Sequence, residues 1–197
     1  MAFFNENNEN ARFALAKAIS DGKAKLDSNT IKSLLFEYFR FKKGFWGVTT
    51  EMHLSANNIE DFVAFNKDEI VAVEIKISKS DFKADFKKNK YSAFAMKCHK
   101  FYFCVPLSLK DFVLGYLQEH SNEFAMTSYG VLVVNDDLSI SAAKKAHYLR
   151  EKGNLFKLYD GTNQWMQGEF VMNNLAYYLI QNMSCELAKA KILKSEV

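Results

Sequence analysis

The chain of 197 residues is 49% hydrophobic and 25% charged, with a net charge of +3. That composition belongs to a folded globular protein and excludes a disordered or fibrous chain. No run approaches the ~18 uninterrupted apolar residues of a membrane span, and the Asn- and Glu-rich residues 1–10 lack the basic start and apolar run of a secretory signal. Cys98, Cys104 and Cys185 form no CxxC pair and leave an odd thiol, which argues against a disulfide framework or structural zinc and for a reducing, cytoplasmic setting.

In chain order, helical apolar spacing predicts a helix over 10–20, with Ala11, Leu15, Ala18 and Ile19 on one side. A second helix over 30–42 is expected to start from an N-cap at Ser28 or Asn29 and to present Ile31, Leu34, Leu35, Tyr38 and Phe39 together. Gly44 and Gly47 break that pattern. Three strand-like segments follow, 48–54, 61–65 and 70–77. Ser80 is placed to cap a helix over 81–97, after which 101–105 reads as a buried strand ended by Pro106, the single proline. An amphipathic helix over 109–118, a strand over 131–134, a short strand around Ile140 and a long helix over about 170–193 complete the order. Strand, helix, strand at that spacing predicts a parallel pair joined by a crossover. No linker composition divides the chain, so residues 1–197 are expected to form one α/β domain, a mixed sheet flanked by helices with extra helices at both ends.

The positive charge is concentrated. Residues 76–100 carry a net +6, eight lysines against Asp81 and Asp85, while the rest of the chain carries −3. Such a segment suits a polyanion surface, because neutralising phosphates releases their counterions; a solvated helix face would look the same. Within the predicted helix, Lys83, Lys87, Lys90 and Lys97 recur at spacings of 4, 3 and 7 and form one stripe. Phe82, Phe86, Ala93 and Met96 form another, turned toward the core.

The second and third strands carry a register argument. With Asn66, Lys67, Asp68 and Glu69 as the loop, Phe65 pairs with Ile70 and each pair of partners sums to 135. Asp61 then faces Glu74 across the ladder, with Cβ atoms about 4.5–5.5 Å apart. Lys76, two residues on, shares that face. Alternation alone would explain Glu74 and Lys76 as the solvent side of a half-exposed strand. Two facing carboxylates repel, however, and either Lys76 or a divalent cation held by hard oxygens would offset the repulsion. Glu51 in the preceding strand is a candidate third acid, and His53, of the same strand parity, reads as an ordinary surface or partly buried histidine.

This set resembles the PD-(D/E)XK nuclease superfamily, with Glu51, Asp61 and Glu74-Ile75-Lys76 in the positions of its acidic, Asp and Glu-x-Lys elements. Val73-Glu74-Ile75-Lys76-Ile77-Ser78-Lys79-Ser80-Asp81-Phe82, then Ala84-Asp85, Lys87-Lys88 and Lys90-Tyr91, is similar to the signature of its MmcB-like, DNA-repair-associated branch, as is the run Lys100–Pro106. The likeness covers roughly residues 30–143. It departs at Glu60, where the superfamily name has proline, and at Glu37, which competes with Glu51 for the first acidic role.

The resemblance implies a restriction-endonuclease-like αβββαβ core and a Mg²⁺- or Mn²⁺-dependent deoxyribonuclease acting in DNA repair or processing. Asp61, Glu74 and the Ile75 carbonyl would hold the metal, Glu51 would bind a second ion or its water, and Lys76 would orient water or stabilise transition-state charge. Lys79, Lys83, Lys87, Lys90 and Lys97 would grip the DNA backbone. A DNA-binding module of the same fold without catalysis is the alternative. So is a junction resolvase or restriction-type endonuclease, for which a homodimer is expected, although no dimer interface is legible in the sequence.

Overall fold

A computed structural model describes residues 6–55, 58–66, 69–86, 98–122 and 126–149. The expected order αβββαβ is present. Helices α1 (Glu6–Ser20) and α2 (Ser28–Phe36) precede strands β1 (Gly47–Ser55), β2 (Asn58–Phe65) and β3 (Ile70–Ile75); helix α3 (Lys79–Phe86) leads to β4 (Lys100–Pro106). Helix α4 (Lys110–Glu119) and strands β5 (Gly130–Val134) and β6 (Ile140–Lys144) follow. The six strands form one mixed sheet in sequence order. The first three are antiparallel, β3, β4 and β5 run parallel, and β6 is antiparallel to β5. The remainder of the predicted 81–97 helix beyond Phe86, and the predicted helix at 170–193, lie outside the described residues.

Strand alternation builds two apolar layers. Val63, Ala72, Phe101, Phe103, Val105, Val131 and Val133 point to the face covered by α3 and α4, and Phe62, Val71, Val73, Ile75, Cys104, Leu132 and Val134 to the face covered by α2. Phe82 of α3 is fully buried, its ring 4.9–5.8 Å from those of Phe86, Phe103, Phe112 and Tyr116. Burying one such ring stabilises the fold by about 1.5–3 kcal/mol. With both faces covered, all six residues of β3 are buried. The half-exposed strand expected from alternation is therefore not what forms, because α3 lies over its polar side.

Three local details differ from the sequence expectation. The N-cap of α2 is Asp27, whose carboxylate accepts from the Thr30 N–H at 2.7 Å; neither Ser28 nor Asn29 fills that role, and both lie in the first helical turn. Ser78, rather than Ser80, starts α3: its hydroxyl accepts from Asp81 N–H and its carbonyl from Phe82 N–H. The predicted 30–42 helix remains α-helical only to Phe36 and then widens into a π-helical segment, Glu37–Lys42. Ile31, Leu35 and Phe39 are four residues apart, a spacing that drifts about 40° per step on an α-helix. The wider turn keeps Phe39 in line with the buried residues before it.

Candidate active site at the end of the central strand

The β2/β3 ladder has the expected register, with Phe62 opposite Val73, Val63 opposite Ala72, Ala64 opposite Val71 and Phe65 opposite Ile70. One step further, where Asp61 stands opposite Glu74, main-chain pairing gives way to a side chain. The Ile75 N–H donates to the Asp61 carboxylate at 2.8 Å, and the following N–H, of Lys76, turns to the Cys104 carbonyl of β4 at 3.0 Å. Asp61 thus fills the gap that opens as β2 and β3 part.

Glu74 and Lys76 are only 2% and 4% exposed. The Lys76 ammonium lies 3.2 Å from a Glu74 carboxylate oxygen and 3.7 Å from Asp81, and it donates a short hydrogen bond to Asp85. Asp81 and Asp85 are one turn apart on α3, so the helix that covers the sheet also brings two carboxylates to the lysine. Three carboxylates, Glu74, Asp81 and Asp85, surround one ammonium, and Asp61 is near enough for the two charges to interact. Burial works to lower the Lys76 pKa, but Glu74, the hydrogen bond to Asp85 and the charges of Asp85 and Asp81 raise it above its ordinary value. Burial raises that of Asp61, as does Glu51, against the lowering by the Ile75 hydrogen bond, Lys76 and Lys32.

Glu51 falls opposite Asp61 in the β1/β2 register, but its backbone is left-handed, with φ of 53°, and it drops out of the ladder. Its carboxylate pairs with Lys32 of α2. It is close enough to act on the Asp61 charge, as is Lys32, its partner. Glu37, the competing acid, is committed elsewhere, pairing with Arg12 at 3.1 Å and Lys42 at 4.0 Å. Among the described residues, no group of three His, Cys, Asp or Glu side chains is gathered to hold a metal ion. Asp61 and Glu74 are the two carboxylates at this strand end that could hold such an ion, and Ile75 closes β3 beside them.

Lys79 and Lys83 are exposed on α3, with their ammonium groups 5.2 and 5.6 Å from the centre of the Phe112 ring. Lys87, Lys90 and Lys97 lie outside the described residues, as does the side chain of His53. Asp85 is the functional-site residue that sequence reasoning missed. Its signal was present, since it sits one turn after Asp81 on the helix that returns over Lys76.

No helix among the described residues is long and apolar enough to cross a membrane. No family model and no curated protein sequence matches the chain. A solved structure of a protein of unknown function from Silicibacter pomeroyi is similar over 85% of this chain and 90% of that one, at 18% sequence identity and a TM-score of 0.46.

Proposed function

We propose that this chain is a Mg²⁺- or Mn²⁺-dependent deoxyribonuclease of the PD-(D/E)XK type, working on DNA in repair or processing in a reducing, cytoplasmic compartment. The observation that carries the reading is the burial of Glu74 and Lys76 beside Asp61 on an otherwise apolar sheet face. A buried ion pair is commonly matched or bettered in stability by apolar residues of similar volume. A charged cluster kept at a strand end, with shifted pKa values, is therefore a candidate for chemistry.

The donor set fits a hard divalent cation. Carboxylates from Asp61 and Glu74, with the Ile75 carbonyl, would supply oxygens of the kind Mg²⁺ and Mn²⁺ take, and the three carboxylates paired with Lys76, with Asp61 close by, leave negative charge to be balanced. When bound, such an ion acidifies water and polarises a phosphoryl oxygen. Lys76, its pKa raised, stays protonated at neutral pH. It therefore serves as a fixed positive charge for the transition state rather than as a proton acceptor. The Ile75 N–H fixes the Asp61 carboxylate, and Asp85 fixes the lysine. Lys79 and Lys83, exposed on α3, would meet phosphates.

The competing reading is a DNA-binding module without catalysis. It is favoured by one observation: the Lys76 ammonium is held by Asp85 and Glu74, and among the described residues no group of three metal-binding side chains is gathered. Cleavage of single-stranded, duplex, flap and junction DNA in Mg²⁺ or Mn²⁺ separates the two. Wild type should cleave at least one substrate, while Lys76→Ala and the milder Asp61→Asn, each checked for native circular dichroism, should bind DNA and not cut it. Binding without cleavage by wild type, or equal cleavage by wild type and both variants, would remove the assignment.

A further inference from the structure

The π-helical segment and the turn after it carry a second surface at the open end of the β1/β2 hairpin, away from Asp61. The Trp46 backbone N–H donates to the Phe65 carbonyl, and Phe65 lies four residues along β2 from Asp61, about 13 Å at strand rise. Phe36, Phe41 and Trp46 are 45%, 49% and 60% exposed, whereas Phe39 and Phe45 between them are buried and anchor the segment. The widened turn sets the Phe36 and Phe41 rings 5.9 Å apart. Arg40 ties the Phe41 ring to the turn: its guanidinium lies 6.0 Å from the ring centre and donates to the Phe45 carbonyl next to Trp46. Lys42 and Lys43 are also exposed, and the segment's acid, Glu37, is taken up by Arg12 and Lys42.

We propose that Phe36, Phe41 and Trp46, with Arg40, Lys42 and Lys43, form a stacking platform for single-stranded nucleic acid. Exposed rings on a fixed backbone accept unstacked bases, whatever their sequence, and neighbouring cations meet the phosphates between them. Base pairs inside a duplex offer no free faces to such rings, so the platform discriminates by strandedness. Lysine is depleted from the cores of protein interfaces, and here two lysines and an arginine are interleaved with the rings. The charge complements a polyanion better than an apolar partner. The platform stands independently of the nuclease reading, since none of its residues belongs to the Asp61, Glu74 and Lys76 cluster.

The test is anisotropy of labelled oligo(dT) and of a duplex of equal length, in EDTA so that cleavage plays no part, with the full chain and its surface variants. Trp46→Ala and Phe41→Ala should each weaken oligo(dT) binding about tenfold, Trp46→Phe should hold it within about threefold, and duplex binding should be unchanged. Lys42→Ala/Lys43→Ala should reduce the log–log salt slope by roughly 1.4. Oligo(dT) binding that is absent, or unaltered by Trp46→Ala and Phe41→Ala, overturns the proposal. So does a Trp46→Ala effect confined to self-association in sedimentation, or to binding of vesicles containing anionic lipid. Loss of nuclease activity in any assay leaves this outcome untouched, and a catalytically silent protein that still binds oligo(dT) through Trp46 supports the platform alone.

Discussion

Replacing Lys76 by methionine keeps a side chain of similar length and removes the charge that three carboxylates share. The Lys76 and Glu74 side chains are 6% and 3% exposed, so water does little to screen their interaction. Removing one member of such a pair leaves the other buried and uncompensated, a cost of about 3–5 kcal/mol. At this chain length each kcal/mol moves Tm by roughly 2–4 °C, so Lys76→Met should melt about 6–20 °C below wild type. Glu74→Gln should cost less, about 1.5–3 kcal/mol, because Asp85 and Asp81 still hold the ammonium. The double variant should cost less than the sum of the singles by at least about 1.5 kcal/mol, since Glu74 is then no longer left charged and unpaired when the ammonium is lost. Urea unfolding of the four proteins gives the cycle. The pH dependence has a definite sign: with the folded pKa of Lys76 above 10.5, its contribution is complete below that value and is lost as pH rises through the folded pKa. A Lys76→Met cost under about 1 kcal/mol, or strictly additive single effects, would refute a buried, mutually dependent network.

Two further outcomes follow from the same geometry. Burial raises the Asp61 pKa above 3.8, so it is the protonated, neutral carboxyl that favours the fold: the contribution is complete below that pH and is lost as pH rises through the folded value. Asp61→Asn, which keeps an acceptor for the Ile75 N–H, should therefore raise Tm at pH 7.5 relative to wild type and change it little near pH 3.5; a lower Tm at neutral pH in scanning fluorimetry would contradict this. Gly47→Ala places a Cβ against the ring of buried Phe65, and overpacking of that kind should cost about 1–3 kcal/mol in urea unfolding. An unchanged midpoint would show that the β1/β2 pairing there is looser than the structure has it.

Much of the arrangement was legible because strand geometry is strict. Four loop residues and a two-residue period fix Asp61 opposite Glu74, and the observed pairs of Phe62 with Val73 and Phe65 with Ile70 follow that arithmetic. What was not legible depends on a third element arriving. Alternation gives Glu74 and Lys76 one face, but only the docking of α3 through Phe82 makes that face an interior one and delivers Asp85 to the lysine. The left-handed backbone at Glu51 has no sequence signal of the kind glycine or asparagine would give. It takes Glu51 out of the ladder, and the side chain pairs with Lys32 while still acting on the Asp61 charge. The caps show competition among neighbours: Asp27, Ser28 and Asn29 are all competent, and the choice falls to Asp27, whose extended backbone leaves Ser28 and Asn29 inside the helix.

Under the proposed function Asp61 and Glu74 together hold a divalent cation, and calorimetric titration of the full chain with Mn²⁺ tests this before any question of substrate arises. Wild type should take up Mn²⁺ with a measurable heat, and Asp61→Asn and Glu74→Gln should each abolish that heat while remaining folded. A wild-type protein that gives no heat at millimolar Mn²⁺, or variants that titrate as the wild type does, would contradict the account.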